Sequence, residues 1–196
     1  MDIDPASLDR RSSYHLMISA IMPRPIAWVT SMSKEGVVNL APFSYFNGVS
    51  SYPPVVSIAV GSRKDGRKDT WINIDETREF VVNVVVKAEA ERMVATSKEL
   101  PHNESELEMA RLTPVPSSIV KVPRIAESPV AMECRLHQIV DVEGTALILG
   151  RVVHWHLDES VITGGLVDPA KTTFVGRLGG DNYSLVNNVF QVRRPT

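Results

Sequence analysis

Four cations, Arg63, Lys64, Arg67 and Lys68, crowd one short segment, and Asp69 and Thr70 follow at once. A strand-like stretch, residues 55–60, precedes them and a helix-forming stretch comes after. Strand, glycine-containing loop and helix mouth together make a seat for an anion. First-turn amides point out of the helix, and ammonium groups and a hydroxyl stand beside them. The loop is not built for nucleotide hydrolysis. A Walker lysine follows the second glycine and is itself followed by Ser or Thr; here Arg67 follows Gly66 and Asp69 follows Lys68. No metal-binding aspartate ends the next strand pattern, residues 80–86. On composition alone, the same run also reads as a solvated basic turn.

A second concentration of polar groups lies in residues 30–47. Thr30 and Ser31 end one strand pattern, a Glu35-Gly36 turn follows, and Asn39, Ser44 and Asn47 stand among Phe43, Tyr45 and Phe46. Met22-Pro-Arg24-Pro opens the stretch. Small hydroxyls, side-chain amides and approachable backbone between aromatics suit a flat, polar ring that needs several donors, an acceptor and apolar walls. Turn and cap duty is the ordinary alternative for such residues.

Other constellations are weaker. His154 and His156 share a strand face, but only Asp158 is near them as a further ligand, so no metal is expected. Cys134 falls among Met132 and Leu136 and reads as core rather than nucleophile. No Ser-His-Asp set can be nominated, and no catalytic side chain is assigned. No two of the 11 glycines are separated by one residue, which removes a dinucleotide fingerprint.

Several elements must position these groups. Residues 1–13 read as a polar arm or short helix. Asp69 or Thr70 is a plausible N-cap for a helix reaching about residue 79, with Trp71 and Ile74 on one face. Residues 88–96 are helical in composition. Residues 97–130, broken by Pro101, Pro114, Pro116, Pro123 and Pro129, form a loop-rich excursion with an acidic helical piece at 104–111. In the next strand, Met132, Cys134, Leu136, Val140 and Val142 alternate with Glu133, Arg135, His137 and Asp141. Glu143-Gly144 then turns the chain into residues 145–157, completing a β-hairpin. Antiparallel strands with few helices and no βαβ alternation predict a mainly β, α+β fold, a small barrel or sandwich. The expected organisation is one domain over residues 1–196, with the excursion packed on the barrel.

The chain has 196 residues, 43% of them hydrophobic and 22% charged, with 21 basic against 23 acidic residues. A net charge of −2 leaves no electrostatic footprint for nucleic acid or an anionic membrane, so any anion site must be local. A single cysteine excludes an intramolecular disulfide. The apolar stretch 16–22 imitates a secretion signal, but Asp2, Asp4 and Asp9 spoil the basic start and Pro23-Arg24-Pro25 replaces a cleavage site. A cytoplasmic protein is the expectation.

Three separated runs, residues 22–47, the order Arg63-Lys-Asp-Gly-Arg-Lys-Asp-Thr70, and Val175-Gly-Arg-Leu-Gly-Gly-Asp-Asn-Tyr183, resemble the flavin reductase-like family. That resemblance implies a Greek-key split β-barrel of FMN-binding type with flanking helices, and a homodimer. It assigns the FMN phosphate to Lys68 and Thr70, with Asp69 as loop organiser and Arg24 as a second cation. Thr30, Ser31, Asn39, Ala41, Pro42, Ser44, Phe46 and Asn47 are assigned to the flavin. Arg177 and Tyr183 would line its outer, substrate-facing side. Phe43, Tyr45 and Phe46 could serve a two-fold interface or the barrel core. The implied activity is hydride transfer from NADH or NADPH to the flavin. The alternatives are a flavoredoxin-like FMN carrier reduced by a protein partner, and a non-redox FMN-binding domain.

Overall fold

β-branched and apolar segments alternate along the chain, and each becomes a strand of one antiparallel sheet in a computed structural model that describes residues 1–64 and 66–195. The strands are β1 (Ala27–Met32), β2 (Val38–Phe43), β3 (Phe46–Ser51), β4 (Pro54–Val60), β5 (Glu79–Val84), β6 (Val130–Val142) and β7 (Thr145–Leu157). Their spatial order is β2-β1-β5-β6-β7-β4-β3. Four helices flank them: α1 (Arg10–Ala20), α2 (Asp69–Thr77), α3 (Ala90–Ala95) and α4 (Glu106–Ala110). Two short strands, β8 (Val175–Arg177) and β9 (Tyr183–Leu185), join the strand Arg24–Pro25 in a separate small sheet.

The seven strands roll up because one face of each must leave water. Ala27, Val29, Phe43, Ile58, Phe80, Cys134 and Ile148 form one buried cluster, so residues from both halves of the sheet share a single interior. The roll leaves a seam: β2 and β3 are the two edge strands and do not pair with each other. Trp71 and Ile74 of α2 plug one end of this interior, as their spacing predicts. Gly150 shows how tightly it is filled. A Cβ there would lie 2.2 Å from Phe80 Cζ, so only glycine lets the ring cross the barrel.

A second cluster, including Trp28, Leu40, Met93, Leu107 and Ile125, lies outside the barrel beneath α3, α4 and the 97–130 excursion. Trp28 Nε1 donates to Thr96 Oγ1 at 2.8 Å. The excursion also covers the exposed edge of β2, where Ser105 Oγ donates to Val38 O at 2.6 Å and Leu40 N donates to Glu106 Oε2 at 2.9 Å.

Local expectations meet their limits in three places. The β6–β7 hairpin forms around Glu143-Gly144, both at positive φ (50° and 79°), but its pairing shifts register between Glu133 and Cys134 and again between Leu136 and Gln138. The second shift reverses the face. Ile139 packs toward the core, while Val140 and Val142, expected inside, are exposed. Glu133, expected on a polar outer face, is fully buried beneath residues 118–120. The N-cap of α2 is Lys68, with no side-chain cap bond, and Asp69 is already helical. No helix is long and apolar enough to cross a membrane among the described residues.

Candidate functional site

The mouth of α2 gathers the basic residues. Residues 62–63 and 66–67 pair as a small antiparallel hairpin that leads into the helix; Asp65, at its tip, lies outside the described residues. Trp71 N and Ile72 N bond to Lys68 O, leaving the Asp69 and Thr70 amides without an acceptor among the described residues. The cations divide by partner. Arg63 pairs with Asp69, which also has His102 Nδ1 2.5 Å from its other oxygen. Arg67 lies over the Trp71 ring at 4.5 Å and pairs with Asp75 at 3.2 Å. Lys68 is half-buried and carries no ion pair among the described residues. Lys64 is likewise without an ion pair among the described residues, but it is exposed in the hairpin turn, whereas Lys68 is the N-cap residue of α2.

Behind the mouth is a buried polar cluster. Asn39 Nδ2 donates to Thr70 Oγ1 at 3.0 Å and lies 3.4 Å from Ser31 Oγ, while Asn73 Nδ2 donates to Ser31 Oγ at 3.2 Å. Two neighbouring atoms, Arg63 Nε and Asn73 Oδ1, are buried with no partner among the described residues. A donor and an acceptor left unsatisfied in this way fit a site for a polar ligand that bears both functions. Glu106, close to Asp69 and Arg63, has its carboxyl pushed up by burial first, and then by the Asp69 charge.

Strand alternation sorts the remaining candidates. Ser31, Asn39 and Ala41 lie on the barrel face of β1 and β2, and Ala41 packs against the barrel core. Thr30 faces the opposite way: its Oγ1 donates to Pro123 O at 2.6 Å beneath the excursion, so it stands apart from Ser31. Pro42 and Ser44 line a cavity of about 290 Å³ together with Arg177 and Tyr183. Phe46 packs against the barrel core and borders a second, apolar cavity of about 330 Å³ with Val84 and Phe174. Asn47 is exposed on β3, its Oδ1 accepting from Gly48 N at 2.9 Å.

Arg24 is engaged elsewhere. Only 4% exposed, it reaches Ile18 O at 2.7 Å, Ile21 O, Leu178 O at 3.0 Å and Ser44 Oγ at 3.3 Å. It ties α1 and the chain after β8 to the corner between β2 and β3. These contacts give it a positioning role.

Sequence reasoning passed over Asn73, His102 and Glu106. Asn73 was within reach, because it lies three residues after Thr70 on one face of α2. His102 and Glu106 belong to the excursion, and nothing local ties them to the helix mouth. The histidine pair also has a third neighbour: Glu133, across the hairpin, brings one oxygen within 4.8 Å of both rings. Its carboxylate already accepts from Ser118 N at 2.6 Å, Ile119 N at 2.7 Å and Val120 N at 2.9 Å, and His156 Nε2 is 2.6 Å from Oε1. Burial alone would raise this carboxyl, but the amides and the His156 ring together lower it from 4.5 to about 2. The cluster therefore fastens the excursion to the barrel. Cys134 is inert by the same logic: burial, and then the Glu133 charge, push its thiol far up.

Comparison with known proteins gives the family and the fold. The family pattern described as flavin reductase like domain matches residues 18–171. The structure of nitrilotriacetate monooxygenase component B from Bacillus cereus is similar over 98% of both chains, with a TM-score of 0.94 and 37% identity. That of the 2-nitrobenzoate 2-nitroreductase NbaA from Pseudomonas fluorescens covers 100% of this chain and 97% of its own, with a TM-score of 0.92 and 36% identity. A split-barrel-domain protein from Shewanella frigidimarina, 23% identical, shares the fold with a TM-score of 0.82 over 97% of this chain and 96% of its own.

Proposed function

The chain belongs to the flavin reductase-like family, and we propose that it is an FMN-binding oxidoreductase that draws hydride from NADH or NADPH. The observation that carries this reading is the α2 mouth, where Lys68 and the Asp69 and Thr70 amides lack anionic partners among the described residues. Arg63 Nε, on the cation paired with Asp69, and Asn73 Oδ1, on the amide bonded to Ser31, are also unsatisfied among the described residues. A single anion seat suits a mononucleotide flavin, which has one phosphate, better than a dinucleotide.

When bound, FMN supplies the hydride-accepting chemistry. This chain's residues hold and orient it. Lys68 and the first-turn amides neutralise the phosphate, and the Arg63–Asp69–His102 set fixes the loop that carries them. The Thr70 hydroxyl accepts from Asn39, which leaves its own proton free to donate. Ser31 of β1 and Asn39 and Ala41 of β2 present hydroxyl, amide and backbone groups on the barrel face. With no side-chain nucleophile required, alignment and polarisation are what the protein contributes.

A homodimer completes the reading. Phe43 is 7% exposed and belongs to the core, so a two-fold face would instead use Tyr45, Val49 and Tyr52, which are 40%, 56% and 96% exposed. The component B and nitroreductase structures, 37% and 36% identical, bear the names of redox systems, which supports oxidoreductase over a non-redox flavin holder. Purified protein should be yellow, retain FMN through gel filtration as a dimer by light scattering, and bleach when mixed with NADH or NADPH in a stopped-flow instrument. Bleaching only with an added redox protein would assign it to the carriers. Extraction of chiefly FAD, or of no flavin, would overturn the FMN assignment.

A further inference from the structure

We infer that the cavity of about 290 Å³ beside Pro42 and Ser44 is a binding site for a small aromatic monocarboxylate, recognised by Arg177. Arg177 sits on β8, half-buried, with its guanidinium over the Tyr183 ring at 4.5 Å. Among the described residues it makes no ion pair and no side-chain hydrogen bond. Arg24, its register partner across the small sheet, is the opposite case, with four acceptors around its guanidinium. A stacked guanidinium with free donors is well suited to a planar carboxylate, which it can grip with two parallel N–H bonds.

The walls choose the rest of the ligand. Ile26, Pro42 and Met93 are apolar, and the two tyrosines Tyr14 and Tyr183 add ring faces. Ser44 Oγ already accepts from Arg24 Nε at 3.3 Å, so its proton is free to donate to a second carboxylate oxygen. Asp181 is the other charged group in the lining and opposes a second negative charge. The volume lies at the floor of ligand sites, about 300 Å³, which admits a single substituted ring and not a dinucleotide. The role of this ligand as a redox substrate rests on the function proposed above; its binding does not.

Benzoate is the probe, titrated by NMR into the purified full chain saturated with FMN, with flavin content measured on the same sample. Saturable binding is expected. Arg177→Met should weaken it about tenfold or more, as for loss of a charge-assisted pair, and Arg177→Lys by less. Val94→Trp, which fills the cavity from the exposed side of α3 and keeps Arg177, should abolish binding while circular dichroism shows a folded protein. Equal affinity for benzamide, unchanged binding in Arg177→Met, or no saturation at low millimolar benzoate would overturn the site. Flavin retained without benzoate binding defeats this inference alone. Benzoate binding without flavin defeats only the proposed function.

Discussion

Glu133 and the mouth of α2 are both polar sites closed by the excursion, and they differ in one respect. Both oxygens of Glu133 are matched: three amides and an imidazole converge on them. At α2, Lys68, two first-turn amides, Arg63 Nε and Asn73 Oδ1 are left over among the described residues. Saturation marks a group that holds the fold together, because removing a partner leaves a buried charge uncompensated. Surplus marks a group waiting for a ligand, because a folded chain rarely keeps buried polar atoms idle. Arg24 and Arg177 repeat the contrast in the small sheet.

The strongest way to break this comparison is to remove Glu133. Glu133→Ala should destabilise the protein by about 3–5 kcal/mol, the cost of breaking a buried pair and orphaning its donors. The FMN affinity of molecules that remain folded should not change. Urea unfolding followed by flavin titration below the transition checks both halves. A large loss of flavin affinity would mean that the two regions are one site.

The same carboxyl gives a pH signature. Its folded value, about 2, is below its ordinary 4.5. Its stabilising contribution is therefore complete above pH 4.5 and is lost as the pH falls toward about 2. Wild-type stability should decline across that window. Glu133→Gln should start lower and decline less steeply, since it has no proton to take up. Parallel profiles for the two proteins, from chemical denaturation at each pH, would assign acid sensitivity to other carboxyls.

Next in size is Lys68→Ala. It should weaken FMN binding by about 1.5–3 kcal/mol, the range for a hydrogen bond to a charged group, and leave the melting temperature of flavin-free protein unchanged. Titration of apo-protein with FMN measures the first and calorimetry the second. An unchanged dissociation constant would return the basic loop to the solvated class.

Much of this contrast was legible before the structure. The basic loop, the α2 face bearing Trp71 and Ile74, and the Glu143-Gly144 hairpin each depend on neighbours within a turn or two of chain, where spacing is informative. What escaped depends on distant chain. Leu178, which holds Arg24, is 154 positions away in sequence. Glu133 looked solvated because alternation cannot reveal that residues 118–120 will cover that face. The register shifts in β6 broke the alternation itself, which is why Val140 was placed inside and Ile139 was not. Thr30 and Ser31 are a different case. Period-two alternation already puts neighbours on opposite faces, yet the resemblance assigned both to one ligand.

That pair gives the smallest and most discriminating test. Both residues are completely buried on β1. Ser31 joins Asn39 and Asn73 behind the α2 mouth, while Thr30 donates to Pro123 O under the excursion. Ser31→Ala removes the oxygen on which the two amides converge, so it should loosen the cluster and weaken FMN binding by about 1 kcal/mol. Thr30→Val keeps the shape and removes the bond to Pro123 together with the 3.4 Å contact from Asn83 Nδ2, so it should cost about 1 kcal/mol of stability with no change in flavin affinity. The two effects should add in the double variant, because the side chains point to opposite faces and share no partner. Flavin titration and urea unfolding of both single variants and the double variant separate these outcomes. If Thr30→Val proved the more damaging to FMN binding, the flavin would lie on the excursion side of β1 and the barrel-face site would be wrong.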